Sequence, residues 1–406
     1  MFVSFFPRPK LFFISALLWA ALAMALWYSF ASELYGSSGP EVVGVSTFWS
    51  ARSLWFDFYF AVFVSIFTAF WMWFAPHPWA WWAIPGSALI LFATYFQVLV
   101  SVAINAWYGP FYDTIVAALA KTRVVTIAEI YGHLATFAGI ALVAVLVGVM
   151  TRFLVQHYIF RWRTAMNDYY IANWPRLRTI EGASQRVQED TMRFATIAEG
   201  LGVNFISAVL TLIAFLPVLH KLSSNIAELP LVGAIPYPLV TAAIVWSIFG
   251  TGLLALIGIK LPGIEFFNQR VEAAYRKELV LGEDNAERAD PSTLNELFIN
   301  IRRNYFWLYL NYVYFNAGRI VYLQTDAIFA YILLTPTIVA AKITYGTLQQ
   351  IITAFRQVSN SFQYLVNSWS TIVDLISVYK RLRAFEATIS GGPLDKIEAV
   401  ADPAGT

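Results

Sequence analysis

The chain is 406 residues long, 59% hydrophobic and 13% charged, with 33 Phe, 21 Tyr and 15 Trp, whereas an ordinary soluble domain is about 45–50% apolar and about 25% charged. That much apolar surface cannot be hidden inside a water-soluble globule, which excludes a soluble enzyme, a disordered chain and a collagen-like one and points to an integral membrane protein. A formal net charge of +2 is too small to imply a nucleic-acid partner, and zero cysteines exclude disulfides, iron–sulfur clusters and thiolate metal sites.

A helix needs about 20 predominantly apolar residues to cross the hydrocarbon core. The first such segment, Leu11–Phe30, follows Arg8 and Lys10 and is long for a cleavable signal, so it reads as a retained anchor. Leu54–Ala75, Trp82–Trp107 and Ala135–Val155 follow. Residues 156–200 are charged and helix-friendly, and lead to Val203–Leu219 and Leu239–Ile259. Residues 260–304 are similar in character and precede Phe306–Leu334, a span interrupted by Asn311, Asn316, Arg319 and Asp326. The eighth candidate, Gly346–Val378, is unusually polar. Both charged segments hold a stretch without proline, Gln185–Glu199 and Ile264–Glu287, and are expected to continue as helices into the cytoplasm. Residues 391–406 read as a flexible tail. The expected fold is an all-α polytopic membrane protein, one domain over residues 1–390 with about eight transmembrane helices.

Cytoplasmic loops carry the Lys/Arg excess. With the N-terminus inside, 20 of the 27 Lys and Arg residues fall on inside segments and 5 outside, which predicts both termini inside and an even number of spans. The chemistry of common enzymes is missing. There is no G-x-x-x-x-G-K-[ST], H-E-x-x-H or G-x-S-x-G, and His77, His133, His157 and His220 lack metal-ligand spacing. Gly250-Thr251-Gly252 lies in an apolar span and reads as helix packing through small residues. The chain is therefore expected to be neither an enzyme nor a metal protein.

Polar groups at membrane depth are costly and usually face a cavity or a partner. In the last span Gln350, Gln357, Asn360, Asn367 and Asp374 share one helix face, opposite Ile351, Phe355, Val358 and Ile372. Such a helix lines water; a cytoplasmic amphipathic helix or a dimer seam has the same pattern. Glu272 and Glu283 share a face roughly 16 Å apart along a helix axis, and Glu189 and Glu199 lie roughly 15 Å apart with an offset of about 80°. Carboxylates spaced this way can hand protons along a wet cavity, although Glu272 with Arg276 is also an ordinary i,i+4 surface pair. Trp27, Trp49, Trp55, Trp71, Trp73 and Trp107 cluster near span ends, where an interfacial belt explains most of them.

The stretches YIFRWRTAMNDYYIANWPRLRTIEGASQRVQEDTMRFA (Tyr158–Ala195), IKLPGIEFFNQRVEAAYRKELVLGED (Ile259–Asp284) and FQYLVNSWSTIVDLISVYKRLRAFE (Phe362–Glu386), with NAWYGPFYD (Asn105–Asp113), resemble the SbmA/BacA family of bacterial inner-membrane peptide transporters over essentially the whole chain. WRTAMNDYY, QRVQEDTMRF, VEAAYRKELV and YKRLRAFE are also similar to the membrane domain of peroxisomal-type ABC half-transporters. The resemblance implies an ABC-exporter-like membrane domain without a nucleotide-binding domain, homodimeric, set in the inner-membrane bilayer with both termini cytoplasmic, and driven by the proton gradient instead of ATP. Protons are the coupling ion, and no other cofactor is implied. The substrates it implies are varied peptides and peptide-like antibiotics, including proline-rich antimicrobial peptides, microcins and bleomycin. The family's glutamate ladder matches Glu189, Glu199, Glu272 and Glu283, and its aromatic cavity positions match Trp49, Tyr112 and Phe215. Leu281 stands where some relatives carry an aromatic residue. Two alternatives stay open: a membrane subunit served by a separate ATPase chain, and a factor in envelope lipid modification.

Overall fold

The apolar runs fold as helices whose starts are set by local chemistry. The computed structural model describes residues 1–32, 43–178, 183–224, 226, 229–230, 233, 235–285 and 288–390. Its long helices are α1 (Pro9–Ala31), α2 (Ala51–Phe74), α3 (Trp82–Leu119), α4 (Ile127–Ala172), α5 (Ala183–Ser223), α6 (Pro238–Gly258), α7 (Leu261–Asp284), α8 (Pro291–Val339), α9 (Tyr345–Asn367) and α10 (Trp369–Ser390). Pro9, Pro238 and Pro291 open α1, α6 and α8, where a missing N–H leaves no intrahelical bond unmade. Ser50 and Thr126 cap α2 and α4 by accepting from the backbone N–H of Ser53 and Glu129, each at 3.2 Å. Asp290 does the same for α8 through Ser292 N–H at 3.1 Å. No strand forms among the described residues.

Seven helices, α1–α6 and α8, are long and apolar enough to cross a membrane. They coincide with the first seven expected spans. The eighth expected segment is also helical, but it divides at Ser368 into α9 and α10, and neither half has the hydropathy of a crossing helix. The two charged segments are largely helical, although α6 and α7 are separate helices parted at Ile259 and Lys260. α4 runs unbroken to Ala172, and most of residues 260–304 is taken up by α7 and the first turns of α8. The expected tail, 391–406, lies outside the described residues.

The chain forms two compact units. One comprises Met1–Phe215, Thr344–Thr353 and the chain from Asp374; the other comprises Leu216–Ile343 and Ala354–Val373.

The first unit is centred on aromatic rings. Trp162 of α4 stacks on Phe5 at 5.7 Å between ring centres, and meets Phe6 and Phe194 edge-on at 5.6 and 5.5 Å. Trp71, Tyr170 and Phe385 are buried in the same core. Beside it Asp190, whose side chain is 3% exposed, accepts two bonds from the Arg381 guanidinium, at 2.7 and 2.9 Å. Arg193 and Asp374 repeat that pairing at 2.8 Å in a more exposed setting.

In the second unit, α6 and α8 meet where a small residue permits it. A Cβ on Gly250 would overlap the buried Tyr322 ring, which is the close approach expected of the small-residue run. Trp246 stacks on Phe329 at 3.8 Å with 11° between ring planes. α7 joins α8 through a buried amide pair, Asn304 donating to Asn268 at 3.0 Å.

Two stability predictions follow from these contacts. Gly250→Leu forces Tyr322 off its seat and should destabilise by about 1–3 kcal/mol, the usual cost of overpacking, read as a lower melting temperature in detergent micelles. Arg381→Ala leaves Asp190 buried and unpaired; the loss should be about 2 kcal/mol, below the range for fully buried pairs because Arg381 keeps solvent contact. The Asp190→Ala/Arg381→Ala double variant should lose less than the sum of the single variants in the same unfolding assay.

Candidate functional site

The polar groups of the first unit begin where α3 carries a proline. Pro110 lies inside the helix and has no N–H for the carbonyl of Ala106 four residues back. The Gln350 side chain fills that role: its amide donates to the carbonyls of Ala106 and Asn105 at 3.3 and 3.1 Å. Asn105 answers by donating to the Gln350 carbonyl at 2.9 Å. One turn along, Asp113 accepts from Gly346 N–H at 2.8 Å, and Gly346 packs so closely on the Gly109 carbonyl that no Cβ fits. Tyr112 is half-buried here, edge-on to Tyr345 at 5.5 Å. Gln350 and Tyr112 are thus brought to one junction, where Gln350 serves the backbone of α3.

The other expected residues of this unit are dispersed. Trp49 ends a short turn at Val45–Trp49 and is 70% exposed. Phe215 is fully buried. Glu189 sits on a π-helical turn, Arg186–Asp190, that widens the start of α5; it is exposed and accepts from Gln185 at 3.2 Å. Glu199 lies further along the same helix and is half-buried. An apolar pocket of about 370 Å³ between α1 and α2, lined by Trp19, Phe67 and Phe70 among others, contains none of these residues.

In the second unit Glu272 and Glu283 ride on α7, both exposed. α7 is one continuous helix, so the expected separation of roughly 16 Å along one axis holds. On α9 Gln357 is half-buried, while Asn360 and Asn367 are exposed. Between the exposed residues and α8 lies a polar cluster. Asp326 Oδ1 accepts from the Trp246 indole N–H at 2.7 Å and from the Ser359 hydroxyl at 3.2 Å. Gln363 donates to Ser359 Oγ at 3.0 Å and to the Tyr322 hydroxyl at 2.8 Å. Ser359, Gln363 and Tyr322 are buried.

Sequence reasoning registered Asp326 only as an interruption of a span, and it passed over Asp113, Asp190 and Trp246. Asp326 did carry a signal: an acidic residue in a long apolar segment. Asp190 was hidden beside Glu189, because spacing does not say which of two adjacent carboxylates turns inward. Among the described residues no three His, Asp or Glu side chains gather to hold a metal ion.

Residues 76–390 match the SbmA/BacA-like family. The chain is also similar to an uncharacterized ABC transporter ATP-binding protein of Synechocystis, 23% identical over 260 residues that cover 62% of this chain and 37% of that protein. It is similar to ABC transporter D family member 2, chloroplastic, of Arabidopsis thaliana, 22% identical over 304 residues, 67% of this chain and 39% of the relative. An uncharacterized ABC transporter ATP-binding protein of Haemophilus influenzae is 21% identical over 280 residues, 64% of this chain and 46% of the relative. The chain spans less than half the length of each of these three relatives. The family match covers most of the chain, including five of its seven apolar helices, α3–α6 and α8: the chain belongs to the SbmA/BacA-like family of membrane transporters.

Proposed function

We propose that this transporter imports peptides and peptide-like antibiotics across the bacterial inner membrane, driven by the proton gradient. The observation that carries the reading is the family match over residues 76–390, supported by the acidic residues spaced along α5 and α7. Glu189 and Glu199 in one unit, and Glu272 and Glu283 in the other, are the proposed coupling groups, with protons as the only coupling species. The working form is a homodimer with both termini cytoplasmic. Proline-rich antimicrobial peptides, microcins and bleomycin are the proposed cargo. Amide groups such as Asn360 and Asn367 bind a peptide backbone without regard to its side chains, which suits varied cargo; exposed Trp49 and half-buried Tyr112 offer ring faces to proline and apolar residues.

The coupling follows from elementary electrostatics. Deprotonated carboxylates repel one another and demand water or a counter-charge. Protonation removes both constraints, so a state in which the carboxylates are less hydrated becomes accessible. A transport cycle needs two packings that protons and substrate bias differently. A proton taken up on one side and released on the other links that bias to the gradient.

A second reading is favoured by the names of the relatives, which are ABC transporters. In it the chain is the membrane subunit of a system whose ATPase is a separate chain. The two readings part in proteoliposomes containing only this protein. The proton-driven reading expects labelled peptide to accumulate under an imposed pH gradient without ATP, and accumulation to vanish with a protonophore. Absence of uptake that is restored by ATP and a partner ATPase would favour the second.

In the same vesicles Glu199→Gln and Glu272→Gln should each abolish gradient-driven uptake while membrane insertion and yield stay at wild-type levels. Normal uptake by both would remove the ladder from the mechanism.

A further inference from the structure

Asp326 is a carboxyl group inside α8, a helix apolar and long enough to cross the membrane. Ionisable groups at that depth are rare and mark ion or proton pathways by default. The bonding of this one is asymmetric. Both donors that reach it, the Trp246 indole at 2.7 Å and the Ser359 hydroxyl at 3.2 Å, converge on Oδ1. Oδ2 accepts nothing from the described residues. A carboxylate that serves only to hold helices together would be expected to use both oxygens, as Asp190 does with Arg381 at 2.7 and 2.9 Å.

The charged surroundings are equally one-sided. α6, which supplies Trp246, has no titratable side chain along its length. α9 supplies the neutral Ser359 and Gln363, and its Arg356 is exposed and makes no ion pair with Asp326. On α8 itself the titratable neighbour is Tyr322, whose hydroxyl accepts from Gln363 at 2.8 Å; Arg319 is exposed and likewise unpaired with Asp326. The aspartate is therefore held by neutral donors alone.

We infer that Asp326 is a proton-binding site of the transport cycle, additional to the glutamates of α5 and α7. This assignment rests on the proton-coupled reading given above. The step is a simple association: a proton from the aqueous side adds to the Oδ2 lone pair, giving a neutral carboxylic acid. Oδ1 keeps the Trp246 and Ser359 bonds, so binding and release of the proton leave the hydrogen bonds of α6, α8 and α9 intact. What changes is the charge beside Ser359, which is two residues from Gln357 and next in sequence to the exposed Asn360. The proton thereby alters the field at the polar face of α9 without dismantling its anchor.

The asymmetry supplies its own test. In Asp326→Asn the amide oxygen can accept both donors while the NH2 group occupies the place of a protonated Oδ2, so the variant mimics the permanently protonated state. In Asp326→Ala both donors lose their acceptor. Asp326→Asn should melt at the wild-type temperature, whereas Asp326→Ala should melt lower. In proteoliposomes under a pH gradient, accumulation of labelled peptide by Asp326→Asn should fall to the level of protonophore-treated wild type.

A readout independent of transport is the infrared difference spectrum of the purified protein between about pH 8 and about pH 3, a range that spans the titration of carboxyl groups. The wild type should show a carboxylic-acid carbonyl band that Asp326→Asn lacks. Identical difference spectra for the two proteins would overturn the proposal, as would wild-type accumulation by Asp326→Asn, or a loss of stability in Asp326→Asn equal to that in Asp326→Ala. If wild-type vesicles accumulate nothing under the gradient, the import reading fails while the infrared comparison still decides whether Asp326 binds a proton.

Discussion

Every backbone N–H and carbonyl that enters a bilayer must find its partner within the protein, because hydrocarbon offers none. That constraint explains why the described residues are built almost wholly of helices, and it also governs the places where the helices are imperfect. Pro110 removes a donor from the middle of α3, and the amide of Gln350 replaces it. The replacement is not interchangeable with a water-lining role. An amide bonded to two carbonyls has little left to offer a solute, so the start of α9 is tied to α3 by a side-chain amide, whereas the amides of Asn360 and Asn367 further along the helix are exposed. A single helix thus carries an anchoring amide near its start and exposed amides further along.

The carboxylates divide in a similar way. Asp190 is buried against a guanidinium that satisfies both of its oxygens. Glu189, one residue earlier, is exposed on the widened turn that begins α5. Neighbouring residues of a helix point about 100° apart, and here that sets an inward, structural acid beside an outward one. Asp326 belongs to neither type, being held on one oxygen by neutral groups.

Much of the architecture was legible because hydropathy and charge asymmetry act over long windows. Seven apolar segments became seven helices, and the charged stretches after Val155 and before Phe306 are largely helical too. The segment 346–378 was harder. Its polarity was evident, but no proline or glycine marks the place where it divides, at Ser368. The site was legible in kind rather than in detail. Glu199, Glu272 and Gln357 stand on the helices expected of them. The partners of Gln350 and Asp326 lie 245 and 80 residues away along the sequence, and no local pattern reports a contact at that range.

α8 is 49 residues long, which makes it roughly 74 Å from end to end, more than twice the roughly 30 Å of a hydrocarbon core. The excess is a lever arm. If the membrane grips one part of such a rod, a tilt of about 10° carries an end some 40 Å away through roughly 7 Å, more than one helical turn. Asp326 lies in the C-terminal half of that rod, so a small adjustment of angle around one carboxyl is magnified at the opposite end. The length of the helix supplies mechanical gain that its local chemistry alone does not.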